Sequence, residues 1–136
     1  MRSALRKVTT RRRFTRRGER YMTSTPQEIF ERHVKALTAG DLDALAADYA
    51  EDALVLTPDG EFRGRAAVRE LFSGILQALP QPTLEPKLVA FADDALLLRW
   101  TADSSLNRVP DGVDTFVFAD GAIRLQTITC TVEPKG

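Results

Sequence analysis

Two ionisable side chains stand in apolar company in this sequence, and their chemistry needs explaining first. In the stretch GVDTFVFADG, strand alternation puts Asp114 in line with Phe116 and Phe118. A carboxylate among aromatic side chains must sit at an exposed strand end, be paired, or carry a raised pKa. His33 falls near the middle of the apolar face of a helical segment, between Ile29 and Leu37. Imidazole titrates close to neutrality, so a histidine held there either moves protons or is a core side chain bonded to one acceptor. Asp41, Asp43, Glu51, Asp52, Asp93 and Asp94 fall at caps and turns and do not form a metal-ligand set. There is no phosphate loop or nucleophile elbow, and no cofactor is expected.

The elements that must position these residues follow from periodicity and breakers. Thr25-Pro26-Gln27-Glu28 is a capping box with proline at the first helical position. The helix it opens carries Ile29, Phe30, Val34 and Leu37 on one face and ends at Gly40. Asp41 caps a second helix expected to reach about Ala50, and a short strand follows from Ala53 to Thr57. A third helix is expected from about Arg65 to Leu79, stopped by Pro80 and Pro82. Strands then follow at about 83–91 and 95–105, the latter with Leu96, Leu98 and Trp100 on one face. A polar loop through Pro110-Asp111-Gly112 leads to a long hairpin, residues 112–132, turning at Asp120-Gly121. Both faces of this hairpin are largely apolar, which predicts cover on both sides. Three helices followed by a curved antiparallel sheet make an α+β domain.

The zero net charge of the 136 residues conceals an asymmetry. Residues 1–21 hold nine arginines and lysines against one acid, which leaves 22–136 with 10 basic and 18 acidic residues, a net charge of −8. The first 21 residues lack apolar periodicity and are expected to form a disordered basic tail, with the domain occupying 22–136. Thr10-Arg11-Arg12-Arg13-Phe14 is like a twin-arginine signal, but no apolar core follows it, which argues against export. Charge alone would allow a nucleic-acid arm, but only Phe14 and Tyr21 are available to stack, so nucleic acid is not an expected partner. Translation beginning at Met22 is a further reading of the tail. No apolar run is long enough for a membrane span, and a single cysteine, Cys130, fits a reducing cytoplasm.

The order helix, AGDLDALAADYAEDALVLTPDG, GRAAVRELF and DTFVFADGAIRLQT resembles the nuclear transport factor 2-like superfamily, and within it the SnoaL-like and ketosteroid-isomerase-like proteins. The resemblance covers roughly residues 25–133. It implies a cone-shaped cavity, formed by the sheet wrapping around the first and third helices, and commonly a homodimer. Matched to ketosteroid isomerase, His33 falls where that enzyme has its oxyanion-donating tyrosine. Thr57 falls on its aspartate base, and Asp114 on its protonated aspartic acid donor. Threonine cannot remove a carbon-bound proton unaided at neutral pH, so steroid isomerisation by that route is not expected.

What the resemblance leaves is a His33–Asp114 pair in one pocket, an acid–base couple in which Asp114 would orient the imidazole ring. Tyr49, Thr57 and Gln126 would add hydrogen bonds. Val55, Phe72, Leu98, Trp100, Phe116 and Ile128 would supply apolar walls. Such a pocket suits a small, mostly hydrophobic molecule with a carbonyl or hydroxyl group. Two functions remain open: a cofactor-free isomerase or cyclase-like enzyme, and a non-catalytic dimeric binding module of the same fold. The outer sheet face, with Thr115, Val117, Leu125, Thr127 and Thr129, is the expected dimer surface.

Overall fold

The structure, a computed structural model, describes residues 23–136. The basic tail expected over residues 1–21 lies outside the described residues. Helix α1, Pro26–Ala39, begins with the full capping box: the Thr25 side chain accepts from the Glu28 amide, and the Glu28 side chain accepts from the Thr25 amide. Gly40 closes it at φ 70°, a left-handed cap that costs glycine nothing. Asp41 caps α2, Leu42–Ala47, by accepting from the Ala44 amide at 3.1 Å. This helix stops at Ala47 rather than near Ala50, because the chain enters β1, Tyr49–Thr57, at once. The expected strand from Ala53 is thus only the second half of β1.

The remaining elements are β2 Gly60–Arg63, α3 Arg65–Ala78, β3 Thr83–Ala92, β4 Ala95–Asp103, β5 Asn107–Ala119, β6 Ala122–Thr129 and β7 Glu133–Pro134. One seven-stranded sheet runs β2-β1-β6-β5-β4-β3, with β7 added beside β5. Every pairing is antiparallel except β1 with β6, which is parallel, so the sheet is mixed rather than wholly antiparallel. Two short strands, β2 and β7, had no clear period of their own in the sequence. The segment Pro110-Asp111-Gly112, expected as a loop, lies inside β5. Its turn-forming residues mark instead a register shift against β4, where Trp100 pairs with Gly112 and Ala102 with Val109.

Bulges bend the sheet around α1 and α3. A second one lies in β6, where Val117 pairs with Leu125 and Phe118 with Ile123, leaving Arg124 as the extra residue. It reverses the alternation, so Ile123 joins Gln126 and Ile128 on the buried face instead of lying opposite them. The Asp120-Gly121 turn forms as expected, with φ values of 53° and 76°. The core fills one end of the curved sheet with Ile29, Phe30, Leu45, Leu96, Phe118 and Ile123. Helices cover only the concave side. On the convex side the row Leu97, Thr115, Thr127, Leu56 crosses β4, β5, β6 and β1, with both leucines about 40% exposed. Cover on both faces of the hairpin is therefore not supplied by the described residues.

Candidate functional site

Beyond the filled end of the cone the concave side is left open as a cavity of about 140 Å³. Helix α1 contributes Phe30, His33, Val34 and Leu37; α3 contributes Phe72, Ile75 and Leu76, with Leu79 just past its end; the sheet contributes Leu98, Trp100, Asp114, Phe116, Gln126 and Ile128. This is the space of about one small ring: an engineered apolar cavity of ~150 Å³ takes up benzene. The wall is almost wholly hydrocarbon, so its few polar atoms decide what the cavity prefers.

Asp114 is 6% exposed and both its oxygens accept hydrogen bonds. Trp100 Nε1 donates to Oδ1 at 2.9 Å, and Gln126 Nε2 donates to Oδ2 at 2.9 Å. Gln126 is itself oriented, because the Tyr49 hydroxyl donates to its Oε1. The chain Tyr49–Gln126–Asp114 thus points every donor toward the carboxyl, which is the arrangement an ionised carboxylate wants. Burial works the other way and raises the Asp114 pKa from 3.8 to about 6, against the lowering effect of the Trp100 and Gln126 hydrogen bonds. Asp114 is therefore ionised at neutral pH yet a far stronger base than an exposed aspartate. Burial also holds the Tyr49 hydroxyl well above its ordinary value, so it stays a neutral donor.

His33 is 4% exposed and surrounded by ring edges: Tyr49, Phe72 and Phe116 lie in edge-on contact at centroid distances of 5.9, 5.8 and 5.6 Å. Its Nδ1 is buried with no hydrogen-bond partner among the described residues. Burial lowers its pKa from 6.5 to about 4, so the ring is neutral at neutral pH. The expected hydrogen bond between His33 and Asp114 is not made. They line the same cavity, but the carboxyl is already held by Trp100 and Gln126. Asp114 does not set the tautomer of His33.

Of the other residues expected at the site, Phe72, Leu98, Trp100, Phe116, Gln126 and Ile128 line the cavity. Tyr49 and Val55 do not. Both are fully buried in the core, with Tyr49 standing behind Gln126. Thr57 is the last residue of β1, paired with Gly60, and its hydroxyl accepts from the Asp59 amide at 3.1 Å. It lies in the turn and not on the cavity, so no group replaces the absent base at that position. The sequence reading missed the wall provided by Val34, Leu37, Ile75, Pro82 and Pro86. The apolar spacing of Val34, Leu37 and Ile75 marked a buried face, which is the same signal a filled core leaves, and Pro82 was legible only as a helix stop. Among the described residues no three His, Cys, Asp or Glu side chains stand together as a metal site. No helix there is long and apolar enough to cross a membrane.

Comparisons with solved structures show the fold. An epoxide hydrolase/cyclase-like enzyme with a role in pyran-ring formation in the polyether salinomycin is 23% identical, with a TM-score of 0.67 over 81% of this chain and 95% of that one. A protein provisionally assigned as a polyketide cyclase, from Sinorhizobium meliloti, is 23% identical with a TM-score of 0.65 over 74% and 93%. One provisionally assigned as a ketosteroid isomerase, from Kribbella flavida, is 19% identical with a TM-score of 0.66 over 81% and 82%. At these identities the likeness is one of architecture: a nuclear transport factor 2-like α+β cone. The family itself is shown by sequence, because the SnoaL-like domain matches residues 30–126, which carry most of the first helix, most of the cavity wall and the His33, Asp114 and Gln126 positions. The chain belongs to the SnoaL-like domain family.

Proposed function

We propose that the cavity binds a small, mostly hydrophobic molecule carrying a carbonyl or hydroxyl group and acts on it by cofactor-free acid–base chemistry of the isomerase or cyclase type. The observation that carries this reading is Asp114. It is a buried carboxylate on an apolar cavity wall, held ionised by two donors and raised to about 6 by its surroundings. A base with a pKa near the working pH is what general-base catalysis favours. In the proposed reaction Asp114 takes a proton from an acidic C–H or O–H of the ligand while electron density moves to the ligand oxygen. The neutral His33 ring meets that oxygen by hydrogen bond, and Asp114 returns the proton at another atom of the same molecule. His33 lines the same cavity as Asp114, which supports placing both groups on one ligand. The dyad expected from sequence is replaced by two separate groups acting on one ligand.

The second reading, a binding module without chemistry, is favoured by one specific observation: both Asp114 oxygens are already engaged by protein donors. Proton exchange separates the two. Cyclohexenone in D₂O should lose its α-protons faster with the protein than without it. The rate should rise with pH through a midpoint near 6 and fall about 100-fold or more in Asp114→Asn. Binding of the ketone without accelerated exchange would select the module, and absence of both would remove the proposed ligand class. A homodimer through the convex face belongs to the same proposal, supported by the Leu97–Thr115–Thr127–Leu56 row, whose two leucines are exposed. So does a cytoplasmic location, supported by the single free cysteine.

A further inference from the structure

Across the β4–β5 ladder from Trp100 stands Gly112, two residues before Asp114 on the same side of the same strand. It is buried, and its backbone is not in the positive-φ region, so conformation alone does not require glycine there. Space does. A Cβ at position 112 would lie 2.1 Å from Trp100 Cε2, 2.4 Å from Cδ2 and 2.6 Å from Cζ2. Ordinary contact between carbon atoms is about 3.5–4.0 Å. The clash is with the fused edge of the indole rather than with the tip of a flexible chain. The indole occupies the volume of the side chain that residue 112 lacks. Cε2 is the atom bonded to Nε1, so the same seat sets Nε1 at 2.9 Å from Asp114 Oδ1.

We infer that Gly112 is a positioning residue for the cavity: its missing side chain is the seat of the Trp100 indole, and through that seat it fixes one of the two donors on Asp114 and holds back one wall. Any side chain at 112 must push the indole toward the cavity or toward solvent, and either movement takes Nε1 off the carboxyl. The inference rests on the reading of this cavity as the site, but its test needs no ligand and no turnover. It can therefore fail while ketone exchange persists, or hold while exchange is absent.

The test is Gly112→Ala, read in the free protein through its sole tryptophan. In the wild type, Trp100 fluorescence should change with a midpoint near pH 6 as its carboxylate partner titrates. The other titratable groups around Asp114 (Tyr49 on β1, His33 on α1 and Cys130 after β6) titrate outside that range by the directions of their shifts. In Gly112→Ala the tryptophan step should shrink several-fold. The Asp114 midpoint, followed by carboxyl carbon NMR, should rise by about one unit, as loss of one hydrogen bond to a charged group requires. A folded Gly112→Ala protein with the wild-type emission and an unchanged Asp114 midpoint would overturn the inference. If the single variant does not fold, Gly112→Ala combined with Trp100→Ala decides. Restored folding shows that the clash with the indole was the cause, and a double variant that also fails shows that the strand itself needs glycine.

Discussion

Strand β5 sends four residues in succession to the concave side, and the two pairs have opposite fates. Phe118 and Phe116 stack on one another at 5.9 Å, and Phe116 meets Phe30 edge-on at 6.2 Å, closing one end of the cone. Asp114 and Gly112, next along, are a carboxylate and bare backbone, and there the cone stays open. Alternation treats all four alike. The difference lies in what each can bury: an aromatic ring fills volume, while a carboxylate must be supplied with donors and a glycine leaves room for a neighbour's ring. One strand thus builds both the core and the candidate site, and the two meet at Phe116, which stacks on Phe118 and also lines the cavity.

The sharpest way to break this contrast is to empty the filled end. Phe118→Ala should cost about 3–5 kcal/mol, as other deletions of buried aromatic rings do. Denaturant unfolding gives the value. A cost of ~1 kcal/mol or less would mean that the packed end is no tighter than the open one.

The open end should reveal itself through pH, with an effect of about 3 kcal/mol for each of two groups acting in opposite senses. The pKa of Asp114 is raised on folding, so its contribution is fully present below its unfolded value near 3.8 and is lost as pH rises through about 6. That of His33 is depressed, so its contribution is present above 6.5 and is lost as pH falls through about 4. In the wild type the two largely offset between pH 4 and 6.5. Asp114→Asn should expose the His33 effect and lose stability on acidification across that window. His33→Gln should expose the Asp114 effect and gain stability over the same range. Urea midpoints measured from pH 7 to 4 would show whether the profiles diverge; parallel profiles would mean that neither group is desolvated as described. Asn at 114 should be accommodated, because Gln126 can turn over and Tyr49 can accept instead of donate.

A smaller effect isolates one donor. Trp100→Phe keeps most of the ring but removes Nε1, and should cost about 1–2 kcal/mol at pH 7, where Asp114 is charged. At pH 4 most of that cost should vanish, because a neutral carboxyl needs the donor less. A cost independent of pH would assign Trp100 to packing alone.

The smallest effect on folding is expected on the convex face. Thr127→Lys should change stability by about 1 kcal/mol or less, since Thr127 is half-buried and gives up its hydrogen bonds with Thr115. Sedimentation of the same variant then tests the proposed dimer: wild type sedimenting as a dimer at roughly tens of micromolar and Thr127→Lys as a monomer is the expected pair of results. A monomeric wild type would remove the proposal.

Local signals in the sequence determined the helices and much of the sheet. Thr25, Pro26 and Glu28 opened α1 where expected, Gly40 ended it, and Asp120-Gly121 made the long hairpin turn, because capping and turn chemistry act over three or four residues. Strand alternation likewise put Asp114, Phe116 and Phe118 on one buried face. What tertiary structure decided was everything that depends on another strand. The parallel β1–β6 pairing, the bulge at Arg124 that brings Ile123 inward, and the place of Gly112 within β5 are properties of register between strands far apart in sequence. The partner of Asp114 was decided the same way. His33 and Asp114 were legible as misfits on apolar faces, but which donors reach a buried carboxylate depends on a few ångströms of approach. That approach is set by the indole resting on Gly112 and by Tyr49 turning Gln126, neither of which leaves a mark at the positions themselves.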